Sequence, residues 1–180
     1  MMNCSSNVWD AKFLCLAKTV SQWSKDPSTK VGAVITDPKN RVISVGYNGF
    51  PRGVKDDERL FNREEKYEII VHAEVNAILF AQWALYDHTL YTYPFQPCSR
   101  CAGIIIQSGI KRIITKPYNE ERWRKTFTTA QIMFNEAGVQ LLFVDLDEND
   151  FFENLWKSVN SSGENKYIII NNPIFLLKMY

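Results

Sequence analysis

Two short segments carry the residue types that do chemistry: His72-Ala73-Glu74 and, farther along, Pro97-Cys98-Ser99-Arg100-Cys101. Each is ordinary when taken alone. A histidine on a mainly apolar helix is more often packed or solvated than a ligand, and a lone Cys-x-x-Cys serves redox chemistry as readily as metal binding. Together they offer one imidazole and two thiolates. That set fills three corners of tetrahedral zinc and leaves the fourth open, the arrangement of catalytic rather than structural sites. Glu74 then need not be a ligand, because a carboxylate beside the open position is able to move protons.

The elements must bring these segments together. Cys98 and Cys101 lie three apart at the first turn of a helix predicted over Cys98 to Ser108, where both face one ion and unpaired backbone amides favour thiolates. His72 and Glu74 lie two apart, roughly 200° around a regular helix. They reach one site only at the very start of a helix, and the sequence permits this because Tyr67 to Val71 reads as extended before a helix from Val71 to Leu85. Around these, helical spacing runs from Trp9 to Trp23. A hairpin follows, with strands Val31 to Thr36 and Arg41 to Tyr47 and the turn Asp37-Pro38-Lys39-Asn40 between them. Strands at Thr89 to Tyr93, Arg112 to Thr115 and Gln140 to Val144 alternate with helices, the last of them Glu120 to Ala137. The pattern predicts an α/β fold, a three-layer α/β/α sandwich around a central mixed sheet of about five strands. The charged stretch from Val54 to Lys66 reads as a solvated excursion. A single domain is expected over 1–158, with a short amphipathic helix carrying Phe151, Phe152, Leu155 and Trp156, a hinge at Asn160-Ser161-Ser162-Gly163, and a tail over 159–180.

Composition narrows the functional classes. In 180 residues, 21 Lys and Arg stand against 20 Asp and Glu, a formal charge of +1. Polyanion binding normally announces itself as a strongly basic domain, so no nucleic-acid polymer is expected as a partner. The first ten residues lack a secretory pattern, and no stretch approaches the roughly 20 apolar residues of a membrane span. A cytoplasmic protein with no membrane partner is expected. Four cysteines in a reducing compartment mean metal, catalysis or packing, and packing is the default for Cys4 and Cys15.

The combination resembles the zinc-dependent nucleoside and nucleobase deaminases, whose H-x-E and P-C-x-x-C signature is a worked example of metal-assisted base chemistry. Within them it is most similar to the deoxycytidylate (dCMP) deaminases, over about residues 9 to 145. The likeness rests on Asp26-Pro27-Ser28-Thr29-Lys30-Val31-Gly32-Ala33, Gly46-Tyr47-Asn48-Gly49-Phe50-Pro51-Arg52-Gly53, His72-Ala73-Glu74-Val75-Asn76-Ala77-Ile78, and Pro97-Cys98-Ser99-Arg100-Cys101-Ala102 with Ile105-Ile106-Gln107-Ser108-Gly109-Ile110. The resemblance implies a cytidine deaminase-like fold and hydrolysis of dCMP to dUMP and ammonia. It implies His72, Cys98 and Cys101 as zinc ligands and Glu74 as the acid/base, with Asn48 on the sugar and the Ala73 backbone on the base. For the 5′-phosphate the local candidates are Ser28 and Lys30, then Arg122, because a dianion needs cations or clustered donors. The segment Lys55 to Ile70 holds neither Cys nor His, so one zinc per chain is expected, without the second, structural ion of some relatives.

The resemblance also implies a homo-oligomer, dimer or hexamer, to which the apolar tail Tyr167 to Tyr180 could contribute. Three other readings compete. One is a relative acting on cytidine, dCTP or another base; one is a zinc-stabilised binding module without catalysis, which has no chemical need of Glu74. The last is a redox Cys-x-x-Cys, disfavoured because no thioredoxin-like strand, motif and helix open the chain.

Overall fold

The computed structural model describes residues 8–119, 121–144 and 167–169. Cys4, Glu120, the amphipathic segment at 151–156 and the hinge at 160–163 lie outside them.

Helix α1 (Val8–Ser21) is followed by β1 (Gly32–Thr36) and β2 (Val42–Tyr47). They form an antiparallel hairpin, in which Asp37 Oδ1 accepts from the amides of Lys39 and Arg41 to close the turn. Then come α2 (Arg63–Ile69), α3 (Ala73–Ala81), β3 (Thr89–Tyr93), α4 (Ser99–Ser108), β4 (Arg112–Thr115), α5 (Arg124–Glu136) and β5 (Gln140–Val144). The sheet order is β2-β1-β3-β4-β5-β6, where β6 (Tyr167–Ile169) adds antiparallel to β5. β1 is antiparallel to β3, whereas β3, β4 and β5 run parallel. The expected mixed sheet of five strands is present, with one short edge strand more.

Alternation along the strands builds two cores. Ala33 and Ile35 of β1, Leu90 of β3 and Ile113 of β4 face α3, α4 and α5, packing with Ala77, Ile105 and Phe134. Val34, Tyr91 and Ile114 point the other way, onto Leu14, Ala17 and Val20 of α1. These are the two faces of the expected three-layer sandwich. Two glycines let helices approach the strands closely. A Cβ on Gly32 would stand 2.1 Å from the Ala17 carbonyl oxygen of α1, and one on Gly46 would stand 2.3 Å from that of Ala73 and 2.4 Å from the Ala77 nitrogen of α3.

The excursion expected over Val54 to Lys66 is not simply solvated. A 3-10 turn at Glu58–Leu60 and helix α2 occupy it, and Leu60 and Lys66 are buried. Asn62 caps α2 by accepting from the Glu64 amide. Charge density hid this element, because a helix whose buried residue is a lysine, with a leucine buried only in the turn before it, shows no apolar periodicity. Tyr67 to Ile69, expected to be extended, are its last turn; the chain is extended only from Ile70. The helix expected over Val71 to Leu85 is shorter at both ends, with Gln82 in a left-handed conformation at its C-cap.

Candidate active site

The N-termini of α3 and α4 converge. His72 is the N-cap of α3, extended at φ −71°, ψ 152°, and Glu74 is the second residue of the helix. The two side chains therefore escape the separation a regular helix would impose. Cys98 is the N-cap of α4, and Cys101 sits one turn in. The His72 side chain makes no capping bond to its own helix. His72 Nδ1 lies 3.3 Å from Cys101 Sγ and 3.5 Å from Cys98 Sγ, and the three ligand atoms fall within 4.8 Å of one another.

The donor set fits zinc. Ligand bonds of roughly 2.0–2.3 Å at tetrahedral angles separate a nitrogen and a sulfur donor by about 3.5 Å. His72, Cys98 and Cys101 already stand at that spacing through Nδ1 and the two Sγ atoms. Among the described residues they are the one such group of three.

Local electrostatics follow from this packing. The Cys98 thiol is lowered to about 4, first by a hydrogen bond from Cys101 and then by His72, against the cost of burial. Its partner Cys101 is pushed upward by that shared bond and by burial. His72 is raised to about 9, chiefly by its bond to Cys98. Burial pushes the Glu74 carboxyl up, partly offset by His72. Glu74 is 4% exposed, a carboxyl held away from water beside a ligand cluster.

These groups open on a concave pocket that is continuous with solvent. His72, Ala73, Glu74 and Cys98 line it, and one wall is aromatic, from Phe95, Trp123 and Phe127. Those three rings pack together with centroids 5.6 to 6.3 Å apart. The lining also includes the polar side chains of Asp26, Ser28, Asn48 and Lys66. Asn48 is buried and its amide is engaged: Nδ2 donates to the Thr29 carbonyl and to Asp26 Oδ2, and Oδ1 accepts from the Val31 amide. What remains for a ligand is the second lone pair of Oδ1.

The structure thus brings His72, Ala73, Glu74, Cys98, Asn48 and Ser28 to one cavity, with Cys101 buried among the ligands. It does not bring Lys30 or Arg122 into the wall. Lys30 is exposed between Thr29 and Val31, and Arg122 is exposed with its guanidinium over the Trp123 ring at 5.2 Å. Sequence reasoning missed Lys66, Phe95, Trp123 and Phe127. The three aromatics fall near Pro97 in the chain or on the start of α5, but nothing in their spacing marks them as cavity residues. Cys15 is buried on α1 and its thiol is raised to about 11 by burial, as a packed cysteine should be.

Residues 7–116 match the family described as "Cytidine and deoxycytidylate deaminase zinc-binding region". An Aliivibrio fischeri protein called "Uncharacterized deaminase in luxG 3'region" is 44% identical over 142 residues, covering 77% of this chain and 95% of that protein. Mouse (Mus musculus) deoxycytidylate deaminase is 38% identical over 138 residues, 73% of this chain and 76% of the relative. In fold, the chain is similar to the dCMP deaminase of cyanophage S-TIM5 solved with dCMP and dUMP. The TM-score is 0.59 at 23% identity, over 72% of this chain and 92% of that one.

Proposed function

The chain belongs to the cytidine and deoxycytidylate deaminase family, and from that premise we propose that it hydrolyses dCMP to dUMP and ammonia. The observation that carries the reading is the meeting of His72, Cys98 and Cys101 with the buried carboxyl of Glu74 in one cavity. Relatives named deoxycytidylate deaminase direct the choice of substrate.

His72, Cys98 and Cys101 hold one zinc ion per chain. What zinc supplies when bound is Lewis acidity, which brings the pKa of water from about 16 to about 7. Glu74 takes the proton released by the attacking water and passes it to the ring nitrogen next to the carbon bearing the amine. It delivers the second proton to the amine as ammonia leaves, so that one water is consumed and Glu74 returns to its starting state. Burial raises the carboxyl above the ordinary carboxylate range, the direction this role requires. The Ala73 amide, at the first position of α3 where helical partners are lacking, orients the base. Asn48 Oδ1 accepts from a sugar hydroxyl, and the ring wall excludes water from the reacting face. Ser28 donates to the 5′-phosphate; Lys30 and Arg122 act from the exposed side, drawing the anion towards the cavity.

The family reading also favours a homo-oligomer, a dimer or hexamer, and α3 shows Leu79 at 63% and Phe80 at 49% exposure, with Trp83 at 79% just beyond it. Sedimentation of the protein tests this, a monomer at micromolar concentration counting against it. Among the described residues no helix is long and apolar enough to cross a membrane. A cytoplasmic setting, where thiols stay reduced, suits the two cysteine ligands.

Ammonia release from dCMP, dCTP, deoxycytidine and cytidine, measured with metal content, tests the activity. The expected result is release from dCMP first, with about one zinc per chain. Release from cytidine alone would transfer the reading to a nucleoside deaminase, and a zinc-loaded protein inert on the whole panel would make it a binding module.

A further inference from the structure

Lys66 is the unexpected feature of the cavity. Its side chain is 3% exposed, yet it carries an ammonium group, and burying such a group is costly unless it is paired and hydrogen-bonded. Lys66 Nζ donates to Asp26 Oδ1 at 2.8 Å and to Ser28 Oγ at 2.9 Å. An ammonium has three donors; its remaining contact is the Tyr67 ring, 5.9 Å away, too long to take the third donor as a hydrogen bond. Lys66 also lines the cavity.

Asp26 holds this cation in place without spoiling it for an anion. Its Oδ1 accepts from the Ser28 and Thr29 amides as well as from Lys66, and its Oδ2 accepts from Asn48 Nδ2. The carboxylate charge is spread over four donors before any ligand arrives. Ser28 Oγ accepts from Lys66, so its own hydroxyl hydrogen is left to donate outward. Two donors, one of them charged, are thereby left for the cavity from adjacent atoms, fixed by a buried network and not by a mobile surface side chain. Of the cationic side chains that line the cavity, the other is His72, which is committed to the ligand cluster.

We propose that Lys66, with Ser28, is the anchor for the phosphomonoester of the substrate and sets the preference for a nucleotide over its nucleoside. The inference rests on the deaminase reading for the identity of the ligand, but not for the chemistry of the anchor. It assigns to α2 a function that its sequence does not show: the helix delivers one cation through the wall of the active site.

The test compares ligands with and without the phosphate. Calorimetry with dUMP and deoxyuridine is carried out on the wild-type protein, on Lys66→Met and on the charge-neutral pair Asp26→Asn/Lys66→Met, with zinc content and thermal midpoint followed in each. In wild type dUMP binds more tightly than deoxyuridine. In either variant the ratio of the two affinities falls about 100-fold, the size of effect expected for losing a desolvated charge contact. Steady-state kinetics with dCMP then show the loss mainly in KM. Equal losses for dUMP and deoxyuridine would make Lys66 merely structural and overturn the proposal, as would an unchanged ratio. Should both variants fail to fold, a crystal structure of wild type with dUMP decides. A phosphate oxygen within about 3.2 Å of Lys66 Nζ supports the anchor, and a phosphate seated elsewhere sinks it. Ammonia release by wild type is the separate test of the reading itself, so the two failures are distinguishable.

Discussion

At the scale of single residues, the proposed mechanism separates holding from proton transfer. Under the proposed function Cys98 would hold the ion from a helix N-cap, and Glu74 is a buried carboxyl whose pKa burial raises. Glu74→Gln keeps size and polarity but carries no transferable proton. It should retain zinc and lose turnover by about a thousandfold, within the usual range for a general acid/base. Cys98→Ala should lose zinc and turnover together. Metal analysis beside an ammonia assay checks both, and retained zinc-dependent activity in Glu74→Gln would remove the proton carrier from the mechanism. His72, Glu74, Cys98 and Cys101 could be singled out in the sequence by type and spacing, and the fold brings them together. Asn48 was legible only through the resemblance, and its engaged amide was not. Lys66 was hidden because a lysine in a charged run reads as solvated until the fold shows Asp26, 40 positions away in the chain, beside it.

At the scale of elements, two helix starts are aimed at one point, and the sheet fixes where they start. The spacing argument placed His72 and Glu74 at a helix beginning, and the backbone agrees because His72 is the N-cap. What holds α3 there is its approach to β2, made possible by the missing side chain of Gly46. A Cβ at that position meets backbone atoms of Ala73 and Ala77, which cannot swing aside as a flexible side chain would. Gly46→Ala should therefore push α3 outward, destabilise the protein by about 3 kcal/mol and weaken zinc retention in parallel. A denaturant midpoint unchanged from wild type, with full zinc content, would show that α3 is not set by this contact. Strands β3, β4 and β5 were readable from apolar runs between helices. Helix α2 was not, since its packing is carried by Lys66 and its neighbour Leu60 in the preceding turn.

At the scale of the whole molecule, distant segments are tied by buried charge and by the ligand cluster. Asp10 of α1, 1% exposed, receives both Arg112 nitrogens at 2.7 and 2.6 Å and the Tyr91 hydroxyl at 2.8 Å, which joins the first helix to β3 and β4. The ligand cluster makes a second tie, between α3 and α4, and its strength depends on protons. Without metal at pH 7, Cys98, at about 4, is a thiolate, whereas His72, at about 9, and Cys101, shifted upward, carry protons. Metal needs a neutral imidazole and two thiolates, so loading should release about two protons per ion. The metal-free form binds more protons, and affinity must therefore rise with pH, by roughly a hundredfold per unit below about 9, where His72 loses its proton, and less steeply above. Stability follows the same dependence: zinc at a hundred times its dissociation constant adds about 2.7 kcal/mol, and acid removes that increment by removing the ion. Calorimetric zinc titrations in buffers of different ionisation enthalpy count the protons, and thermal midpoints with and without chelator follow the stability. Proton release near zero, or affinity that falls as pH rises from 6 to 8, would mean that His72 and Cys101 do not bind the ion in the forms their surroundings impose.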